Sequence, residues 1–167
     1  MKKALLVIDM QEFTVGKAHA DLFKYDDGLI GRVNAVISST DADKVVYIKH
    51  LMKRNLINKF APFQVYEGDP RAELAEDLRV VSSDVFTKYA GDAFSVPVLC
   101  SYLKENDIDT VELIGVDGGG CVSLTALGAF RKGYNVILDT SAIGIIYTAQ
   151  KERYFKKLSK LGADFIG

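Results

Sequence analysis

Three side chains of chemically useful type stand just beyond short apolar runs: Asp9, Lys88 and Cys121. A thiol that attacks a carbonyl carbon needs a base within hydrogen-bond reach and a charge that steadies the anion it becomes. Cys121 supplies the thiol, Asp9 a carboxylate base and Lys88 an ammonium. A cysteine at the head of a helix also meets unpaired N–H groups and partial positive charge. With Lys88 nearby, that predicts a sulfur inclined to ionise. The run Gly118-Gly119-Gly120 carries no Cβ to hold a substrate away, so two backbone N–H groups there can converge on an oxyanion. Each residue has an ordinary reading too. Aspartate after a strand forms turns, a lone lysine is solvated, and a single cysteine in an apolar helix is a small core residue. The conjunction matters more, because open parallel sheets bind ligands beyond the carboxyl ends of their strands.

The elements that must position these groups are legible from periodicity. Ala4–Ile8, Lys44–Lys49, Val85–Thr87, Thr110–Val116, Asn135–Leu138 and a tail at Ala163–Ile166 read as strands. Helical spacing runs over Asp27–Ser39, Val98–Asn106, Cys121–Lys132 and Thr148–Leu161, the last with Tyr154, Phe155, Leu158 and Leu161 on its inner side. Leu51–Leu78, which contains Pro62 and Pro70, reads as loops with a short helical piece near Ala72–Asp77. Strands that alternate with helices, several of them unbroken apolar runs, predict one α/β domain over 1–167, its parallel sheet covered on both faces. The glycines at 115, 118, 119 and 120 match neither GxGxxG nor GxxxxGK[ST], which disfavours a nucleotide loop.

Composition removes other classes. The 167 residues are 49% hydrophobic and 26% charged, with 21 basic and 22 acidic groups and a net charge of −1. This is neither a disordered chain nor one with a basic footprint for nucleic acid. No apolar run reaches the ~18–20 residues of a membrane span. The opening run after Lys2-Lys3 stops at Asp9, too soon for a signal peptide, so a cytoplasmic location is expected. Two cysteines, Cys100 and Cys121, and two histidines make neither a disulfide scaffold nor a zinc site. Cys100, in a different helix, is expected to be buried and inert.

Three separated segments, in order, resemble the isochorismatase-like cysteine hydrolases, which include nicotinamidases and N-carbamoylsarcosine amidases. They are Ala4–Asp9 with Gln11 and Phe13, Phe86-Thr87-Lys88 with Asp92-Ala93-Phe94, and Gly115 through Cys121-Val122 to Thr125-Ala126. The resemblance covers essentially the whole chain. It implies a three-layer α/β/α fold with a mostly parallel, about six-stranded, Rossmann-like sheet. It further implies a catalytic triad of Asp9, Lys88 and Cys121, and a cis peptide between Val116 and Asp117. The backbone N–H groups of Asp117 and Cys121 would form the oxyanion hole. The implied activity is hydrolysis of a C–N bond in a small amide through a thioester on Cys121. The implied partners are a small-molecule substrate and further copies of the chain in a homo-oligomer, with no nucleic acid and no membrane.

Departures from the family pattern bear on the substrate. Nicotinamidases resemble one another in a metal site after the second strand, an Asp-x-His pattern with a further His. Here the segment reads Tyr47-Ile48-Lys49-His50-Leu51-Met52-Lys53-Arg54, and His19 lies elsewhere, so neither a metal nor another cofactor is expected. The glycines of the elbow suggest a wider pocket at that point. Asp117 would bring negative charge near the oxyanion, which counts against anionic substrates such as isochorismate. Phe13, Tyr89, Phe94 and His50 are candidates to line the pocket, with core packing an equal alternative for the aromatic three. A non-catalytic small-molecule-binding or assembly protein, a thiol redox sensor, and an isochorismatase or nicotinamidase proper stand as the alternatives.

Overall fold

The computed structural model describes residues 1–55 and 63–167; Pro62 of the irregular region lies outside them. In chain order the elements are β1 (Lys3–Ile8), α1 (Leu29–Ser39), β2 (Lys44–His50), β3 (Val85–Lys88), α2 (Pro97–Glu105), β4 (Thr110–Gly115), α3 (Cys121–Arg131), β5 (Asn135–Ile143), α4 (Thr148–Lys160) and β6 (Asp164–Ile166). Among the described residues the sheet has six strands in the order β3-β2-β1-β4-β5-β6, every pair parallel. The chain walks outward from β1 to β3 and returns to the other side of β1 with β4. Connections diverge between β1 and β4, and the crevice at their carboxyl ends is where such sheets hold ligands.

The alternation of β1 builds both faces. Ala4, Leu6 and Ile8 pack with Leu99 and Leu103 of α2, Val122, Ala126 and Ala129 of α3, and Leu158 of α4. Leu5 and Val7 pack with Leu29, Val33 and Ile37 of α1 and with Ala75 and Leu78. Fully burying one such aliphatic side chain contributes about 1.5–3 kcal/mol relative to leaving it in water. Gly115 ends β4 in register with Ile8 at φ +108°, where an added Cβ would lie 2.2 Å from the Ile8 carbonyl oxygen. Only glycine lets the chain leave β4 at that point.

Three expectations are corrected. Of residues 72–77, only Ala72 is helical, as the end of a single 3-10 turn. That turn, Pro70–Ala72, is capped by Asp69 and leads instead into a strap paired with the segment after β1. There Leu74 bridges Gln11, and the N–H groups of Glu12, Phe13 and Ala75 bond the carbonyls of Glu73, Arg71 and Met10. Backbone groups engaged with a remote segment are not available for i→i−4 bonds. Next, β5 continues past Asp139 to Ile143, because that carboxylate accepts from the N–H and the hydroxyl of Ser141 without ending the strand. Finally, Leu161 falls beyond α4 and is exposed, while Leu158 is sealed and Tyr154 and Phe155 are partly covered. No described helix is long and apolar enough to cross a membrane.

Candidate active site

Asp9 is the first residue beyond β1, and its backbone sits at φ +52°, a region that L-residues seldom visit. Remote and local groups hold it there. Its N–H donates to the Ile48 carbonyl, and its own carbonyl accepts from Gln11 N–H and the Thr14 hydroxyl. Gln11, completely buried, is a staple: its Oε1 accepts from His50 N–H at 2.6 Å, and its Nε2 donates to the carbonyls of Ala72 and His50. The ends of β1 and β2 are thereby locked together.

His50 and Lys88 are register partners at the ends of β2 and β3, so their side chains leave the sheet on the same side. Lys88 is wholly buried. Its Nζ donates to Asp9 Oδ2 at 2.8 Å and to Cys121 Sγ at 3.2 Å, and lies 3.0 Å from His50 Nδ1. Burial is the largest influence and works against the ammonium, but Asp9 and Cys121 together outweigh it and raise the Lys88 pKa above its ordinary value. The other oxygen of Asp9, Oδ1, is buried with no hydrogen-bond partner among the described residues.

Cys121 opens α3 directly after the glycine run. Its thiol does not behave as the helix position alone predicts. Burial, then the Asp9 charge, push its pKa up to about 12, and Lys88 offsets only part of this. The sulfur therefore rests as a neutral thiol beside the Asp9 carboxyl group. The peptide bond between Val116 and Asp117 is cis. Among the described residues, the N–H groups of Asp117 and Cys121 have no acceptor, whereas those of Gly118, Gly119, Gly120 and Val122 are all bonded.

Two of the three glycines do not widen the pocket, because the end of β5 and the segment after it fill the space they leave; Gly120 does line the cavity, and an added Cβ there would meet only Asp117, at 3.7 Å. A Cβ on Gly119 would lie 2.2 Å from the Tyr147 carbonyl oxygen, and one on Gly118 2.9 Å from the Ile143 side chain. Asp117 fastens this contact. Its carboxylate accepts the N–H of Gly119 at 2.6 Å and of Ile146 at 2.5 Å, and it faces the Tyr25 phenol. Burial and then Asp117 hold that phenol protonated far above its ordinary range. The negative charge of Asp117 is thus spent on structural donors.

Above these groups lies a cavity of about 220 Å³, with Asp9, Asp117 and Cys121 at its floor. Phe13, Phe23, Phe63, Tyr25, Tyr147 and His50 are among its walls. The three phenylalanines pack as one cluster, with ring centroids 5.0–5.7 Å apart. Of the pocket candidates, Phe13 and His50 face the cavity and two do not. Tyr89, 48% exposed, stands over a separate surface depression beside Lys53. Phe94 is buried in the core against Tyr134. Both follow Lys88 closely in sequence, but the chain turns away there into α2. Cys100 lies apart, half-buried in α2, with its thiol 3.5 Å from the Phe94 carbonyl. Tyr25, Phe23 and Tyr147 come from loops whose sequences carry no signal for the site.

Asp9, His50 and Cys121 each place a ligand-type atom within 4.8 Å of the others, the spacing of a metal cluster. The Lys88 ammonium bonds all three, so a positive charge already occupies the position a cation would need. The segment after β2 adds Lys53 and Arg54 but no carboxylate. The residues present do not fit a metal ion.

The family model for the isochorismatase domain matches residues 3–167, and the chain belongs to that family. Its fold superposes on N-carbamoylsarcosine amidase from Thermoplasma acidophilum with a TM-score of 0.80 and 27% identity, over 99% of this chain and 96% of that one. Pyrazinamidase of Pyrococcus horikoshii, solved in complex with zinc, gives 0.80 and 26% over 99% of each chain. PnC1 from L. infantum, solved in complex with nicotinate, gives 0.88 at 21% identity, over 99% and 92%, a likeness of fold. No curated protein matches the chain. The protein is a hydrolase of the isochorismatase-like group.

Proposed function

We propose that this member of the isochorismatase family cleaves a C–N bond of a small amide through a thioester on Cys121, with Asp9, Lys88 and Cys121 as its catalytic triad and no metal in the reaction. The observation that carries the reading is the division of the Asp9 carboxylate. Oδ2 is held by Lys88, while Oδ1 is buried and unpartnered, and the carboxylate lies within 4.8 Å of the Cys121 sulfur. A base with one oxygen anchored and the other open can take a proton without leaving its place.

Because the thiol is neutral at rest, deprotonation accompanies attack. Oδ1 of Asp9 accepts the Sγ proton as the sulfur bonds to the substrate carbonyl carbon, and the carbonyl π electrons move onto oxygen. The unbonded N–H groups of Asp117 and Cys121 receive that oxyanion. When the tetrahedral species collapses, the C–N bond breaks and the leaving amine takes the proton from Asp9. Water then attacks the thioester, giving one proton to Asp9, which returns it to Sγ as the acid departs. Lys88 keeps its charge throughout and balances whichever of Asp9 and Cys121 is negative.

The test is Cys121→Ala, assayed for amine or ammonia release across a panel of small amides. Turnover should vanish while the unfolding midpoint stays near the parent value. Hydrolysis at the parent rate by this variant would sink the mechanism.

A further inference from the structure

Lys88 has three N–H donors, and the reaction above uses the two that reach Asp9 and Cys121. We propose that His50 is a positioning residue: its Nδ1 takes the third Lys88 N–H and so aims the other two at Asp9 and Cys121. The roles of Lys88 and Cys121 rest on the hydrolase reading; the placement of the proton on His50 does not.

An ammonium can only donate, so Nδ1, 3.0 Å from Nζ, is the acceptor and the ring proton sits on Nε2. The Ala90 backbone is a further polar neighbour of the ring. Burial, then the neighbouring Lys88 charge, lower the imidazole pKa, so the ring stays neutral and its acceptor stays available. The backbone beneath is immobilised as well, since Gln11 bonds both the N–H and the carbonyl of His50. With Nδ1 committed to Lys88, His50 lines the cavity with its acceptor nitrogen already engaged. An apolar side chain at 50 would leave one donor of a sealed lysine without a partner, which disfavours both the charge and the aim of that ammonium.

Two measurements test this, and neither needs a substrate. Long-range proton–nitrogen correlation on the wild-type protein, with the second histidine assigned through His19→Gln, should show His50 as the neutral Nε2–H tautomer between about pH 6 and about pH 9. An Nδ1–H tautomer, or a ring titrating near ~6.5, overturns the proposal. In a Cys100→Ser background, carbamidomethylation of Cys121 by iodoacetamide at about pH 8 should slow about tenfold in His50→Leu. His50→Asn, whose Oδ1 stands near the place of Nδ1, should label within about threefold of the parent. Parent-rate labelling in His50→Leu, or equal slowing in both variants, overturns it. Should His50→Leu not fold, the wild-type tautomer decides. A failure here leaves the Cys121→Ala test of the reaction standing, and the reverse also holds.

Discussion

A lysine–carboxylate cluster stands at each end of β1. At the amino end Lys3 Nζ bridges Glu112 at 2.7 Å and Asp41 at 2.5 Å, with the lysine side chain 23% exposed. At the carboxyl end Lys88 holds Asp9 at 2.8 Å, and the lysine is completely enclosed. Glu112 and Asp9 are both buried, so residue type and carboxylate burial do not distinguish the two. What differs is the rest of the shell. Water reaches Lys3, which weakens its ion pairs and makes the cluster an anchor for the first strand. Around Lys88 water is excluded, the third donor is taken by an imidazole, and one oxygen of Asp9 is left without a hydrogen bond. An ion pair becomes reactive when packing completes every partner but one.

The largest effect that would sharpen this comparison is on turnover. Asp9→Asn keeps the volume and removes the base, so amide hydrolysis should fall about 10²–10⁴-fold. Iodoacetamide should nevertheless label Cys121 faster at pH 8, because the Asp9 charge is one cause of its raised pKa. Slower labelling would mean that Asp9 does not hold the thiol protonated. On stability, Lys88→Met strands a buried carboxylate and should cost about 3–5 kcal/mol in urea unfolding. Lys3→Met, at the wetter end, should cost about 1 kcal/mol. Equal losses would erase the distinction drawn between the two ends. Gly119→Ala forces a methyl onto the Tyr147 carbonyl and should cost about 1–3 kcal/mol. Gly31→Ala, with nothing within 4 Å in α1, should stabilise by up to about 1 kcal/mol.

The smallest effect lies in the alkaline limb. Cys121 is raised from 9.0 to about 12, and Lys88 is raised above 10.5, so the folded chain holds these protons more tightly than the unfolded one. The stability this represents is complete below about pH 9 and is lost as pH rises toward the folded values. Between about pH 8 and about pH 10 the thiol accounts for about 1 kcal/mol of that loss. Cys121→Ala should flatten that part of the curve in denaturant titrations. An unchanged slope would show that the thiol is not held protonated by the fold.

Asp9, Lys88 and Cys121 were legible because each stands at or soon after the carboxyl end of a strand that apolar and β-branched residues mark, and the glycine elbow because nothing else breaks β4 so abruptly. His50 was legible as a residue near the pocket but not as the partner of Lys88, since that contact joins two strands 38 residues apart. Gln11 stood in the first motif without a visible task; its three bonds run to segments that approach it only in the folded chain. Tyr89 and Phe94 misled because nearness in sequence to Lys88 says nothing about which way the chain turns after β3.

The alternating strands and helices, the parallel character of the sheet and the types of the reacting groups were legible in the sequence alone. Those follow from periodicity and residue chemistry, which are local. Only the tertiary structure decided that the thiol rests protonated, that Asp117 is spent on Gly119, Ile146 and Tyr25, and that an ammonium stands where a metal would. Desolvation and the count of hydrogen-bond partners depend on atoms supplied by distant segments, and no local pattern encodes them.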